Sequence, residues 1–159
     1  AEAQAGTDTV RAVTPAGLAS RTATETRAGL IEIATAAEAQ ALASAVVALT
    51  PARLADAFRG ANQSLNPNGY QRLPGGLIIQ WGRQKAGDVY DDYYGYTVFP
   101  IAFPNNTFLV SATLHASAGE ELDATVAVIG HFLPGFGFTV QECNSVYQNV
   151  EVRYIALGY

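Results

Sequence analysis

The chain has 159 residues, a mass of 16.8 kDa, nine basic and 14 acidic side chains and a net charge of −5. That length suits one domain, or one domain with an extension. The acidic balance, with Lys85 the single lysine, excludes binding of DNA or anionic membrane through a broad basic field. One cysteine, Cys143, excludes an intrachain disulfide and paired-cysteine zinc motifs. No apolar run approaches the roughly 20 residues that cross a bilayer as a helix. The first residue is alanine and no leader pattern follows it, as expected of a fragment or processed form.

Residues 1–60 hold 19 alanines and one aromatic, Phe58, whereas residues 61–159 hold the other 15 aromatics. The formal charges are −1 (five basic, six acidic) and −4 (four basic, eight acidic). The break falls in Gly60-Ala61-Asn62-Gln63-Ser64-Leu65-Asn66-Pro67-Asn68-Gly69, a linker composition. Three segments are therefore expected: 1–60, a linker at 61–72, and 73–159. Alanines bury too little apolar area for a monomeric core of ordinary depth. The first segment is thus loosely ordered alone, or ordered against copies of itself.

It also repeats internally. Ala1-Glu2-Ala3-Gln4-Ala5 recurs as residues 37–41, and Thr14-Pro15-Ala16-Gly17-Leu18-Ala19 recurs as Thr50-Pro51-Ala52-Arg53-Leu54-Ala55. Both recur at an offset of 36, with 12 identities in 21 aligned positions. Thr14 and Thr50, each followed by proline, predict capped helices with proline at the first helical position. Thr35-Ala36-Ala37-Glu38 predicts a capping box, and Leu30–Ala34 a short strand.

After residue 73 the elements change. Short apolar or alternating runs predict strands at 77–81, 96–103, 108–114, 123–129, 136–141 and 150–159, separated by turn signals. The expectation is mainly β, an antiparallel sandwich or barrel-like knob. Pro100 inside a run places that strand at an edge or bulge. An apolar final strand ending at Tyr159 should be paired.

The Thr-Pro-Ala-x-Leu-Ala units resemble phage tail fibre repeats. Leu73-Pro74-Gly75-Gly76-Leu77-Ile78-Ile79-Gln80-Trp81-Gly82, Phe99-Pro100-Ile101-Ala102-Phe103-Pro104-Asn105 and Tyr154-Ile155-Ala156-Leu157-Gly158-Tyr159 resemble the C-terminal head of tail fibres of phages, prophages and tail-like bacteriocins. The resemblance implies an alanine-rich stalk with short helices and strands, then a β-structured head. It implies a homotrimer whose distal head binds a bacterial surface receptor, a lipopolysaccharide sugar or an outer-membrane protein, noncovalently during host attachment. It implies no catalysis, with the protein in the fibre of a particle; the residues themselves give no cofactor or metal motif, and the composition argues against nucleic acid and membrane insertion. No receptor-contacting residue carries over from it.

Contact candidates come from the residues themselves. Arg83–Tyr96 holds four tyrosines and three aspartates, and reads as a polar loop. Tyrosine offers a rigid apolar face and a hydroxyl, and carboxylates accept bonds from sugar hydroxyls. Tyr90, Asp91, Asp92, Tyr93, Tyr94 and Tyr96 are the candidates there. His131, in the hydrophobic turn 131–136, and Tyr147, in the polar stretch 142–149, join them. Trp81 reads as core or subunit interface. His115, Glu120, Glu121 and Asp123 match no metal-ligand spacing and read as a solvated loop. Cys143 reads as a small, half-buried residue. Two alternatives stand beside receptor binding. One is a fibre-borne polysaccharide-degrading enzyme using a carboxylate pair from among Asp88, Asp91, Asp92 and Glu120–Asp123. The other is a head that only trimerises.

Overall fold

The structure, a computed structural model, describes residue 12 and residues 14–19, 21–89, 92–116, 123–142 and 148–159. The chain divides into two units, Ala1–Ala57 and Phe58–Tyr159.

In the first unit the three predicted caps are present. Thr14 Oγ1 accepts from Gly17 N at 3.2 Å at the start of α1 (Pro15–Ala19). Thr50 Oγ1 accepts from Arg53 N at 3.3 Å at the start of α3 (Pro51–Ala57). Between them β1 (Glu32–Ile33) pairs in parallel with β2 (Val47–Ala48), on either side of α2 (Ala36–Ala41). The capping box of α2 is complete: Thr35 Oγ1 accepts from Glu38 N, and Glu38 Oε2 accepts from Thr35 N. These bonds to Thr35, backbone first, hold the Glu38 carboxyl below its ordinary value. The burial pattern is inverted. Ala34 and Ala39 are buried, while Leu30, Ile31, Ile33, Val46, Leu49 and Leu54 are exposed.

The second unit is two antiparallel sheets. The five-stranded sheet runs β3 (Gln63–Ser64), β4 (Gly69–Arg72), β5 (Ile78–Val89), β10 (Gln148–Gly158), β7 (Thr107–Ala116). The three-stranded sheet runs β6 (Tyr93–Val98), β9 (Gly135–Glu142), β8 (Ala124–Phe132). The expected antiparallel, β-rich class is observed. Residues 61–72, read as a linker, form the end of a 3₁₀ turn (Gly60–Asn62) and the two strands at one edge of the larger sheet. The final strand β10 is paired on both sides, by β5 and β7. Pro100 lies just past β6, an edge strand that stops at Val98. Gly75 and Gly76 have φ of +92° and +94°, which glycine adopts without strain, and they turn the chain from β4 into β5.

One core unites the sheets. Ile78, Val152, Tyr154 and Ala156 come from the larger sheet, and Phe136, Phe138 and Val140 from the smaller. Phe99 and Phe103 come from the segment that crosses from β6 to β7. Phe136 stands 5.0 Å from Tyr154, 5.8 Å from Phe99 and 5.9 Å from Phe138, ring centre to ring centre. The crossing segment is held by Gln80, which is fully buried on β5. Its Nε2 donates to Ile101 O at 2.8 Å, and its Oε1 accepts from Ile101 N at 3.0 Å.

The Tyr154 hydroxyl is buried and meets no hydrogen-bond partner. Burial pushes its pKa up to about 12. Tyr154→Phe removes a desolvated hydroxyl that gains nothing from the fold, so its urea midpoint should match or exceed that of the wild type. A fall comparable to losing a made hydrogen bond, about 1 kcal/mol, would show that the hydroxyl has a partner.

Candidate functional site

The strand order sends three connections out of one end of the head. Val89 and Tyr93 bound one, Ala116 and Ala124 the second, Glu142 and Gln148 the third. Register fixes this: Gln148 pairs with Val89, Val150 with Ala116, Ala124 with Glu142 and Tyr93 with Val140. The opposite end carries the Gly75-Gly76 turn, the Leu133-Pro134 turn and Tyr159, whose N and O both bond Asn106. The chain comes into the head near this second end. Gln71, beside Ile79 in register, donates from Nε2 to Phe58 O and Asn62 O at 3.1 Å and accepts at Oε1 from Gln63 Nε2 at 2.7 Å. The 12 residues of β5 separate the two ends by roughly 35 Å.

Arg83–Tyr96, expected to be a loop, is largely strand. Arg83–Val89 continues β5, because β10 supplies a pairing partner as far as Gln148. Tyr93–Tyr96 belongs to β6, in the other sheet. Tyr93 is half-buried and packs on Phe138, ring centres 6.1 Å apart. Asp92, Tyr94 and Tyr96 are exposed. His131 is an exposed residue of β8 near the opposite end, so the fold does not bring it to Tyr94. Tyr90, Asp91, Tyr147 and Cys143 lie outside the described residues, as do Glu120 and Glu121. Among the described residues no group of three or more His, Cys, Asp or Glu side chains is placed to hold a metal.

The two sheets present unlike outer faces. On the smaller sheet, Tyr94 (69% exposed), Val98 (66%), Ile129 (58%) and Phe132 (59%) surround Gly135 and Gly137. The outward positions in register with them are Tyr96, Ala127, Thr125, Thr139 and Gln141. None of these is charged. The larger sheet carries apolar side chains toward the turn end, with Phe108 and Tyr159 stacked at 5.1 Å, and charged ones toward the loop end.

The charged half was not singled out by the sequence reading. Arg153 is paired in register with Arg83, and Glu151 with Lys85, so all four share the outer face. Glu151 Oε1 accepts from Arg153 Nε at 2.8 Å, and Glu151 Oε2 lies 3.7 Å from Arg83 Nη1. Arg153 first, then Arg83 and His115, hold the Glu151 carboxyl below its ordinary value against a smaller rise from desolvation. This contribution is complete above the ordinary value of 4.5 and is lost as pH falls below it through the lowered value. A concavity of about 490 Å³ opens here, lined by Asn66, Pro67, Asn68, Arg83, Lys85 and Glu151. A second of about 460 Å³ adjoins it through Pro67 and Arg83 and reaches Trp81 and Arg153. Trp81 is half-buried on this face, its Nε1 donating to Asn66 O at 3.1 Å. The signal was the spacing: Arg83-x-Lys85 and Glu151-x-Arg153 each put both charges on one face of a strand.

Residues 72–159 match the family of gp53-like tail fibre proteins, C-terminal domain. The chain belongs to that family. Its fold is similar to an N-truncated R1-type pyocin tail fibre, with a TM-score of 0.58 and 28% identity over 70% of this chain and 98% of that one. It is also similar to a C-terminal piece of the Pseudomonas aeruginosa R1 pyocin fibre, residues 323–701, with a TM-score of 0.58 and 26% identity. That match covers 92% of this chain and 42% of the pyocin piece, so the chain spans less than half of the longer fibre. No curated protein matches the chain. The tail fibre resemblance read from the three head motifs is thereby established, and the protein is a part of a phage or tail-like bacteriocin particle.

Proposed function

We propose that the chain is the distal part of a homotrimeric fibre that attaches the particle to a bacterial surface receptor, a lipopolysaccharide sugar or an outer-membrane protein, without catalysis. The observation that carries this reading is the separation of ends. The chain comes in at one end of the head and three connections leave the other, where Asp92 and Tyr94 stand exposed. Loops on a rigid sheet scaffold at a fibre's far end are the surface a host meets first.

The trimer is supported by what a single chain leaves uncovered. The first unit exposes its branched apolar side chains and buries alanines. The outer face of the three-stranded sheet carries large exposed apolar side chains with a few uncharged polar ones, the composition of an interface core. Three copies packed through that face would cover it. Several weak receptor contacts per fibre then add by avidity where receptor spacing permits.

The purified chain should have a mass near three times 16.8 kDa by light scattering. Val98→Lys with Ile129→Lys should lower it, because two desolvated charges oppose the contact. Fluorescently tagged protein should label receptor-bearing cells and fail to label cells stripped of surface polysaccharide and protein. Equal labelling of both would end the attachment reading, and a stable wild-type monomer would end the trimer.

A further inference from the structure

We propose that the concave outer face around Arg83, Lys85 and Arg153 is an anion-accepting saccharide site, and that its ligand is a sugar bearing a carboxylate or phosphate. This rests on the attachment reading and names the chemistry of the ligand. Residues 61–159 contain four basic side chains, and three of them meet on this one surface. Of the carboxylates of this stretch whose side chains are described, Asp92, Asp123 and Glu151, only Glu151 enters the cluster. Among the described side chains the cluster therefore holds three cations and one carboxylate, on a segment whose net charge is −4. Among the described side chains, which leave out that of Asp88, no carboxylate lies within ion-pair distance of the Lys85 ammonium. A field this small is no platform for a membrane, but it selects a single anionic group.

Glu151 shows what the site accepts. Its carboxylate already lies between two guanidinium groups, at 2.8 and 3.7 Å, so the fold holds them in carboxylate-binding geometry. Guanidinium forks suit carboxylate and phosphate alike. The surrounding groups suit a sugar ring. Trp81 lends an aromatic surface, and the Asn66–Asn68 loop lends amides along the rim. Asn68 Oδ1 is fixed by Arg83 N at 2.8 Å, which orients its NH₂ as a donor. The open, shallow shape fits one unit of a long polymer better than an enclosed small molecule.

Glu151 is then an internal competitor, and removing it gives the distinguishing result. The full chain is assayed on immobilised polygalacturonate and its methyl ester, and on phosphomannan and its dephosphorylated form. The wild type should be retained by an acidic polymer and not by its neutral counterpart, and the polymer that retains it tells carboxylate from phosphate. Arg83→Gln with Lys85→Gln should weaken retention about tenfold, and Glu151→Gln should tighten it about threefold, since charge-assisted bonds dominate such a site. Lys85→Gln alone, which leaves the Glu151 bridge intact, should weaken retention by a smaller factor and serves if the double variant fails to fold. Equal retention on neutral polymers, none on either acidic one, or indifference to these substitutions overturns the site. A double variant that loses the wild-type mass also overturns it, by placing these side chains against another copy. Cell labelling separates the two readings. Wild-type labelling that survives the double variant removes the site and leaves attachment standing, whereas no wild-type labelling of any strain removes both.

Discussion

Gln80→Leu should lower the stability of the head by about 2–4 kcal/mol, read as a fall in urea midpoint at fixed protein concentration with unchanged slope. The side chain is fully buried in an otherwise apolar run, and both ends of its amide are used on the backbone of Ile101. Leucine fills nearly the same volume and adds apolar burial. It also strands an N–H and a C=O, each at about 1–3 kcal/mol if water cannot reach it. The stranded pair should outweigh the gain. Gln80→Glu isolates the hydrogen bonds from the packing. A protonated carboxyl can accept from Ile101 N and donate to Ile101 O, but an ionised one cannot donate and is buried with no cation beside it. Burial would raise its pKa. Stability should therefore be near wild type at low pH and fall as pH rises through the raised value. If Gln80→Leu is neutral, the crossing segment is held by the burial of Phe99 and Phe103 and by their backbone bonds to Pro134 O and Leu133 O.

Local signals were legible wherever local physics sets the structure. Thr14, Thr35 and Thr50 announce their helices because a cap is satisfied within three residues. Strands β7 to β10 announce themselves because one face of each meets the core and the sequence alternates. The second half of β5 does not. Arg83-Gln-Lys-Ala-Gly-Asp-Val has polar side chains and a glycine where an apolar alternation would be read, and what makes it a strand is its pairing with Gln148–Arg153, 59 to 70 residues away. Residues 61–72 look like a linker for the same reason: their Asn, Pro and Gly are turn chemistry, and the short strands exist only against β5. The family motifs become physical once the fold is known. Gly158 lies where a Cβ would stand 2.4 Å from Asn106 O and 2.5 Å from the Phe103 ring, so the motif has glycine before its final tyrosine because the crossing segment fills that space.

The candidate site was legible by composition and not by place. The sequence presents Arg83 to Tyr96 as one mixed surface of cations, carboxylates and tyrosines. The fold divides it. Arg83 and Lys85 go to the outer face of the larger sheet, and Tyr94 and Tyr96 to the outer face of the smaller one. Successive strands that belong to different sheets cannot be told from a hairpin by periodicity alone. Arg153, which completes the basic group, lies 70 residues beyond Arg83 and meets it only through antiparallel register.

Phe136→Ala should have the largest effect on the head, a loss of about 3–5 kcal/mol, which is the range for an excised buried phenyl ring. The upper part of that range is expected because the site cannot collapse. Phe136 touches rings from three different elements, Phe99 of the crossing segment, Phe138 of β9 and Tyr154 of β10, and has no exposed surface. Each neighbour is anchored by its own strand or by the bonds of the crossing segment, such as Phe99 N to Pro134 O at 2.9 Å. Phe136→Leu, which leaves a smaller void, should cost roughly half as much. The same ring joins the two sheets whose strand ends carry the three connections. Its loss should therefore broaden the geometry of the loop end as well as lower the midpoint, and receptor labelling should fall at temperatures where the variant is still folded. Labelling that simply tracks the folded fraction would mean that the loop end keeps its shape without this contact. A Phe136→Ala midpoint within 1 kcal/mol of wild type, about the cost of a single surface-exposed cap, would mean that the two sheets are not joined through this core.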